Sequence, residues 1–127
     1  MARKVGYVLI GIALLHTICG FIFFPAQIAD VLGAGVLNAV TEAHWDRNAA
    51  FWFFVFGAML ALYGAMTQWV IETVGRLPRF WAWGFLALCV VGIVCMPVSG
   101  FWTGLPAAYL MIRHYNQARP VRQPLPA

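Results

Sequence analysis

Four long apolar stretches, separated by short polar segments, dominate the hydrophobicity pattern of this chain. They cover residues 5–24, 49–71, 80–96 and about 101–112, and the last extends to about residue 116. A membrane-spanning helix needs about 20 mostly apolar residues, and backbone groups in hydrocarbon must be bonded within their own segment. The stretches are too long, and too apolar on every face, for strands of a small barrel. The pattern therefore predicts an all-α fold, a four-helix transmembrane bundle whose short fourth span is accommodated by local bilayer thinning or by a polar helical end.

The composition supports lipid rather than water as the solvent. Hydrophobic residues make up 63% of the chain and charged residues only 9%, with a mean hydropathy of +0.81. Soluble domains carry roughly a quarter charged residues. The net charge of +4 does not indicate a nucleic-acid partner, because the basic residues lie between or beyond the apolar stretches, where membrane proteins carry their topology signals.

The basic residues also predict an orientation. Arg47 alone lies between the first and second stretches, and the other lysines and arginines all fall on the opposite side: Arg3, Lys4, Arg76, Arg79, Arg113, Arg119 and Arg122. Cytoplasmic segments are enriched in Lys and Arg. Both termini are therefore expected in the cytoplasm, and an even number of spans independently requires both termini on one side.

The linker between the first two spans is longer than a hairpin needs. Its apolar residues recur at helical spacing and predict a short amphipathic segment on the outer membrane surface; they are Ile28, Val31, Leu32, Val36 and Val40. Gly33 and Gly35 weaken such a helix, so an irregular loop folded over the bundle is the alternative.

The remaining segments suggest neither a second folded domain nor a metal site. Residues 1–116 are expected to form the transmembrane domain, and residues 117–127 a disordered, basic, proline-rich cytoplasmic tail. Cys19, Cys89 and Cys95 all lie within apolar stretches, and their odd number and spacing favour neither disulfides nor zinc. No metal and no cofactor is predicted.

The densest polar cluster precedes the second span and contains Glu42, His44, Asp46, Arg47 and Asn48. A histidine beside carboxylates is suited to general acid–base chemistry, so His44, Glu42 and Asp46 are the candidate catalytic residues. The alternative is a solvated loop in which Asp46 caps the helix. We expect Arg47 to point into the bundle mouth and to bond with Asp30, Glu42, the 97–100 turn or a ligand, because its planar fork favours paired acceptors. The alternative is that Arg47 snorkels to lipid phosphate.

His16 lies about halfway along the first span. An ionisable group at that depth suggests a functional site, but a neutral imidazole can also hydrogen-bond to another helix. Gly57, Ala61 and Ala65 form a small-residue stripe, with Gly64 nearby. The stripe predicts a close helix–helix contact, either within the bundle or in a homo-oligomer.

Ser99, Trp102 and Thr103 belong to the turn between the third and fourth spans. The functional interpretation places them opposite Arg47 and His44 at the outer mouth of the bundle; the alternative is an interfacial aromatic belt. The residues predicted to bind a ligand are Arg47, His16, Asn48, Trp52, Ser99 and Trp102.

Three segments carry a family resemblance: GIALLHTICG at 11–20, RNAAFWFFVFGAMLALYG at 47–64 and PVSGFWTGLPAAYLMIR at 97–113. Their order resembles a family of short bacterial four-span membrane proteins classed as a domain of unknown function. The family pattern falls on His16, on Arg47 with Ala49–Phe53, and on Pro97 with Ser99–Trp102. The resemblance implies a bacterial inner-membrane location and no known activity.

Three functions remain open on the sequence. The first is binding of a hydrophobic or amphiphilic small molecule, or a lipid, in an outward-facing pocket of the bundle, where Arg47 anchors the polar end. The second is a membrane enzyme acting on a lipid, isoprenoid or sterol-like substrate with His44 as acid or base. The third is a structural or accessory subunit. The expected partners are membrane lipids, such a small molecule, and a second copy of the chain through Gly57, Ala61 and Ala65.

Overall fold

The computed structural model describes residues 4–117, and these residues form helices joined by turns, with no strand among them. The all-α prediction is confirmed. The predicted tail at 117–127 lies outside the described residues except for Gln117 at the end of the last helix. The helices, in chain order, are α1 (Val5–Phe23), α2 (Pro25–Gly33), α3 (Trp45–Val74), α4 (Arg79–Cys95), a 3₁₀ turn (Gly100–Thr103) and α5 (Gly104–Gln117).

Helices α1 and α3 are the two described helices that are long and apolar enough to cross a membrane. Helix α3 contains 30 residues and extends beyond the predicted 49–71 at both ends. The prediction followed apolar residues alone, whereas a helix also accommodates polar residues in its first and last turns. At about 1.5 Å per residue its length is about 45 Å, more than the roughly 30 Å of bilayer hydrocarbon.

Helices α4 and α5 are shorter, with 17 and 14 residues. The predicted fourth span differs from α5, because residues 100–103 form a 3₁₀ turn and α5 begins only at Gly104. On length and composition, a four-span bundle is therefore not confirmed by the described helices.

The described chain packs as two units, and α3 runs through both. One unit is Gly6–Met66, and the other contains residues 4–5 and 67–117. In the first unit, Gly20 lies against Phe54, Gly57 against Thr17, and Gly64 against the Gly6 carbonyl. Later residues of α1 thus contact earlier residues of α3, so the two helices are antiparallel. Their glycines allow the backbones to approach closely.

In the second unit, α4, the 3₁₀ turn and α5 pack together. The ring of Phe101 occupies the space where a side chain at Gly92 would lie, and Sγ of Cys89 does the same at Gly104. Trp81 Nε1 donates a hydrogen bond to Thr67 Oγ1 at 3.0 Å, which ties the start of α4 to α3. Small residues such as Ala82, Ala107 and Ala108 are fully buried in this unit.

Candidate functional site

A cavity of about 180 Å³ lies in the Gly6–Met66 unit, formed by α2, the loop that follows it and the first turns of α3. The lining residues are Gln27, Ile28, Val31, Leu32, Val36, Val40, Arg47, Ala50, Phe51 and Phe54, and the accessible wall is apolar. Ligand sites usually combine an apolar wall with a few placed polar groups. Gln27 and Arg47 are the two polar residues of this lining.

Helical spacing explains which residues of α3 line the cavity. Arg47, Ala50, Phe51 and Phe54 occupy positions i, i+3, i+4 and i+7, so they form one stripe on the helix. Helix α2 uses Gln27, Ile28, Val31 and Leu32 in the same way, since i, i+1, i+4 and i+5 also share a face. The cavity lies between these two faces.

Helix α2 confirms that part of the 25–47 linker is helical, but the predicted amphipathic segment was too long. The helix ends at Gly33, and Val36 and Val40 lie beyond it. The reason is local: Gly35, Val36 and Asn38 adopt φ of 84°, 67° and 55°, a left-handed region that does not continue a right-handed helix. Val36 and Val40 still line the cavity, now from the loop.

Arg47 connects the start of α3 to this loop. Its Nη1 donates to the carbonyl oxygen of Ala39 at 3.2 Å, and Ala39 is buried. The partner is a main-chain carbonyl rather than the carboxylate of Asp30 or Glu42, both of which are exposed. A guanidinium has five N–H donors. Within the described chain, only the hydrogen bond to the Ala39 carbonyl uses one of these donors.

The polar cluster before α3 is a helix start. His44 Nδ1 pairs with Thr41 Oγ1 at 3.0 Å, and the His44 carbonyl accepts from the Asn48 amide at 3.0 Å, so His44 occupies the residue before the helix. Asp46, predicted as the cap, lies in the first turn instead. A carboxylate there is favourable toward the helix dipole. The enzyme hypothesis requires Glu42 or Asp46 to bond with the His44 ring. Within the described residues, neither carboxylate does so.

His16 forms the contact between α1 and α3. Its Nε2 donates to the Phe53 carbonyl at 3.0 Å, and its ring stacks on Phe53 with centroids 3.9 Å apart. Because a carbonyl only accepts, Nε2 carries the proton. Gly57 leaves the space for this contact: a Cβ there would lie 3.1 Å from His16 Cδ2 and 2.8 Å from Thr17 Oγ1. The geometry is that of a helix–helix hydrogen bond.

The small-residue stripe is divided by this packing. Gly57 and Gly64 are buried against α1 of the same chain, whereas Ala65 is exposed. Gly57 thus serves a contact within the chain. A homo-oligomer through Gly57, Ala61 and Ala65 remains a prediction.

The turn between α4 and α5 belongs to the second unit. Trp102 Nε1 donates to the Pro97 carbonyl at 2.8 Å, and Thr103 Oγ1 donates to the Gly100 carbonyl at 2.6 Å. The Ser99 hydroxyl is buried and has no hydrogen-bond partner in the part of the chain that the structure describes. A ligand role for Ser99 and Trp102 beside Arg47 remains a prediction.

Arg47 is the one predicted ligand-binding residue that lines the cavity. Asn48 and Trp52 lie on the same helix but outside the stripe, and His16 is engaged with Phe53. Sequence reasoning missed Gln27, Phe51 and Phe54. For the two phenylalanines, the helical spacing from Arg47 was a usable signal. The predicted catalytic residues Glu42, His44 and Asp46 are all exposed and are not part of the lining.

Comparisons with known proteins place the chain in a family without assigning an activity. A search of curated proteins finds no match, and a search of solved structures finds none. The model of a family of unknown function, DUF6463, matches residues 1–118, which include the three segments that carried the resemblance. The chain therefore belongs to the DUF6463 family of unknown function.

Proposed function

We propose that this chain is a bacterial inner-membrane protein that binds the apolar chain of an amphiphilic molecule in the cavity between α2 and α3. The observation that carries the proposal is the composition of the cavity: an apolar wall with Arg47 as its only charged residue. The volume of about 180 Å³ is below the roughly 300–1,000 Å³ of drug-sized sites. It suits a single alkyl chain better than a sterol.

Surface exposure supports the membrane part of the proposal. Only 28% of the most apolar window of α1 and 17% of that of α3 is buried, although both are strongly apolar. A core helix of a soluble protein hides such residues from water. Large apolar side chains on α4 are exposed as well, among them Phe80, Leu88 and Val94. We propose that α1, α3, α4 and α5 all span the bilayer and that α5 is the short fourth span.

Orientation follows from the charges. Arg76 lies between α3 and α4, Arg79 is the first residue of α4, and Arg113 lies near the end of α5, whereas Arg47 is at the other end of α3. The positive-inside rule places the first three, and both termini, in the cytoplasm. The cavity then opens at the outer face.

A photoreactive fatty acid with a diazirine in its chain tests the binding proposal on protein in lipid nanodiscs. After illumination, mass spectrometry of peptides is expected to show labelling concentrated in residues 25–54. Val31→Phe should reduce that labelling several-fold, because a larger side chain at a lining position fills the cavity. The matched control is Ala29→Phe, an exposed position of the same helix outside the lining. Labelling spread over the exposed faces of all helices, unchanged by Val31→Phe, would refute the proposal.

A further inference from the structure

We infer that the cavity between α2 and α3 selects its ligand by chain length, and that the ligand is an amphiphile with a straight alkyl chain of about six to eight carbons rather than a long-chain membrane lipid. The inference rests on the proposed function and adds the size of the apolar part. It is argued from the volume of the cavity and from the packing of Phe54, the lining residue furthest along α3.

The volume of the cavity limits how much hydrocarbon it holds. The cavity measures about 180 Å³, and its accessible wall is apolar. An apolar protein cavity of about 150 Å³ binds benzene, a molecule of six carbons. In the same proportion, this cavity holds about seven carbons. A longer chain leaves its remaining carbons outside the cavity.

Phe54 closes the cavity on the side of α1. It lies seven residues after Arg47, which is about 10 Å along the helix at roughly 1.5 Å per residue. A Cβ at Gly20 would lie 2.9 Å from two carbons of the Phe54 ring, and the Phe21 ring packs against it at a centroid distance of 5.0 Å. Because the backbone of α1 occupies the space behind the ring, Phe54 cannot move aside for a longer chain.

The other two lining residues of this stripe differ in how far they are confined. Ala50 is 4% exposed, so its small side chain leaves room that a larger one would fill. Phe51 is 46% exposed and therefore borders the open side of the cavity. Ala50 and Phe54 thus limit the length of the bound chain, whereas Phe51 does not.

Fit, rather than hydrophobicity, decides between chains in a bilayer. A chain that leaves lipid for the cavity gains little from burial, because lipid is itself apolar. A chain two carbons too short leaves about 50 Å³ empty, which weakens binding by about eightfold. A chain that is too long must displace packed side chains, which is also unfavourable. We therefore expect an optimum in chain length.

Competition against a photoreactive fatty acid of eight carbons tests this optimum on the unmodified protein in nanodiscs. The competitors share one neutral sugar head and carry straight chains of four, six, eight, twelve or sixteen carbons. Their amounts are expressed as mole fraction in the lipid, which removes differences in partitioning. The six- and eight-carbon compounds are expected to displace the probe at a mole fraction about tenfold lower than the four- and sixteen-carbon compounds.

Two variants should shift the optimum in opposite directions. Phe54→Ala removes six ring carbons and should move it several carbons longer. Ala50→Val adds two carbons to the lining and should move it about two carbons shorter. The matched control is Phe51→Ala, the same substitution at the open side, which should leave the optimum unchanged. The series on the unmodified protein and on Ala50→Val decides the matter even where Phe54→Ala fails to fold.

The outcomes distinguish this inference from the proposed function. Equal competition by all lengths, or strongest competition by the sixteen-carbon compound, would overturn the length selection and leave chain binding intact. Equal shifts in Phe51→Ala and Phe54→Ala would overturn the role of Phe54. Failure of both an eight-carbon and a sixteen-carbon probe to label residues 25–54 without competitor would instead refute the proposed function.

Discussion

At the scale of single residues, glycine decides how closely α1 and α3 approach. Gly57 lies under the side chains of His16 and Thr17, and the absence of a Cβ exposes the Phe53 carbonyl to His16 Nε2. Thr17 Oγ1 meanwhile donates to the Ala13 carbonyl at 2.9 Å, which holds the threonine against its own helix. His16 Nε2 and Thr17 Oγ1 therefore both have a hydrogen-bond partner within the unit.

Gly57→Ala should lower the thermal unfolding temperature in detergent. The new Cβ would lie 2.8 Å from Thr17 Oγ1, so α1 and α3 must separate and the His16 bond lengthens. Overpacking of this kind costs about 1–3 kcal/mol. The control is Gly11→Ala on α1, where nothing lies within 4 Å of the new Cβ and helix propensity favours alanine. Equal melting temperatures for the two variants would contradict the packing described.

Val36 has a strained backbone conformation. Its φ of 67° is unusual for a β-branched side chain, and such strain costs on the order of 1–3 kcal/mol. The neighbouring amide and carbonyl groups hold it there: the Val36 amide donates to the Val31 carbonyl, and the Val36 carbonyl accepts from Ala39. The loop thus keeps Val36 against the cavity despite the strain.

Val36→Gly is expected to leave the melting temperature unchanged or to raise it, because glycine adopts this φ without strain. The same substitution at Val40, which also lines the cavity but is not among the residues with positive φ, should lower it. Differential scanning fluorimetry of both variants makes the comparison. A larger loss at position 36 than at 40 would show that the Val36 side chain outweighs its backbone strain.

At the scale of elements, hydrogen bonds between polar side chains fix the joint between α3 and α4. Thr67 is fully buried and accepts from the indole N–H of Trp81. The next residue of α3, Gln68, donates from Nε2 to Oε1 of Glu72 at 2.7 Å, one turn further along the same helix. These groups lie at the end of α3, before the turn at Gly75, whose φ of 79° requires glycine for the change of direction.

Thr67→Val should destabilise the protein by about 1 kcal/mol, because valine keeps the shape but offers no acceptor to the Trp81 indole. Trp81→Phe removes the donor, and the double variant should be less destabilised than the sum of the single changes. Reversible unfolding in detergent measures the three free energies. Additive effects would mean that the Thr67–Trp81 bond contributes nothing to this joint.

The elements also show where sequence reasoning succeeds and where it fails. Long apolar stretches identified α1, α3 and α4 because helix formation in such stretches follows from composition. The end of α2 was missed, since the left-handed conformations of Val36 and Asn38 are set by the loop and not by residue type. Trp52 was predicted to bind a ligand, whereas the helix presents Phe51 and Phe54 on the Arg47 face. Partners such as the Ala39 carbonyl depend on folding of the loop and have no sequence signal.

At the scale of the whole molecule, we propose a membrane protein whose α2–α3 cavity faces outward. The apolar exposure of α1, α3 and α4 and the distribution of arginines support that claim in different ways. The exposed apolar surface indicates that lipid surrounds these helices, and the arginine distribution indicates the direction of insertion. A single measurement of accessibility in cells addresses both.

That measurement is labelling of single cysteines with a membrane-impermeant maleimide, in bacterial cells expressing the chain with Cys19, Cys89 and Cys95 replaced by serine. Trp45→Cys, at the exposed first residue of α3, is expected to react in intact cells. Arg76→Cys, exposed after the end of α3, is expected to react only after permeabilisation. The reverse pattern would contradict the orientation, and recovery of the chain in the soluble fraction would contradict the membrane assignment itself.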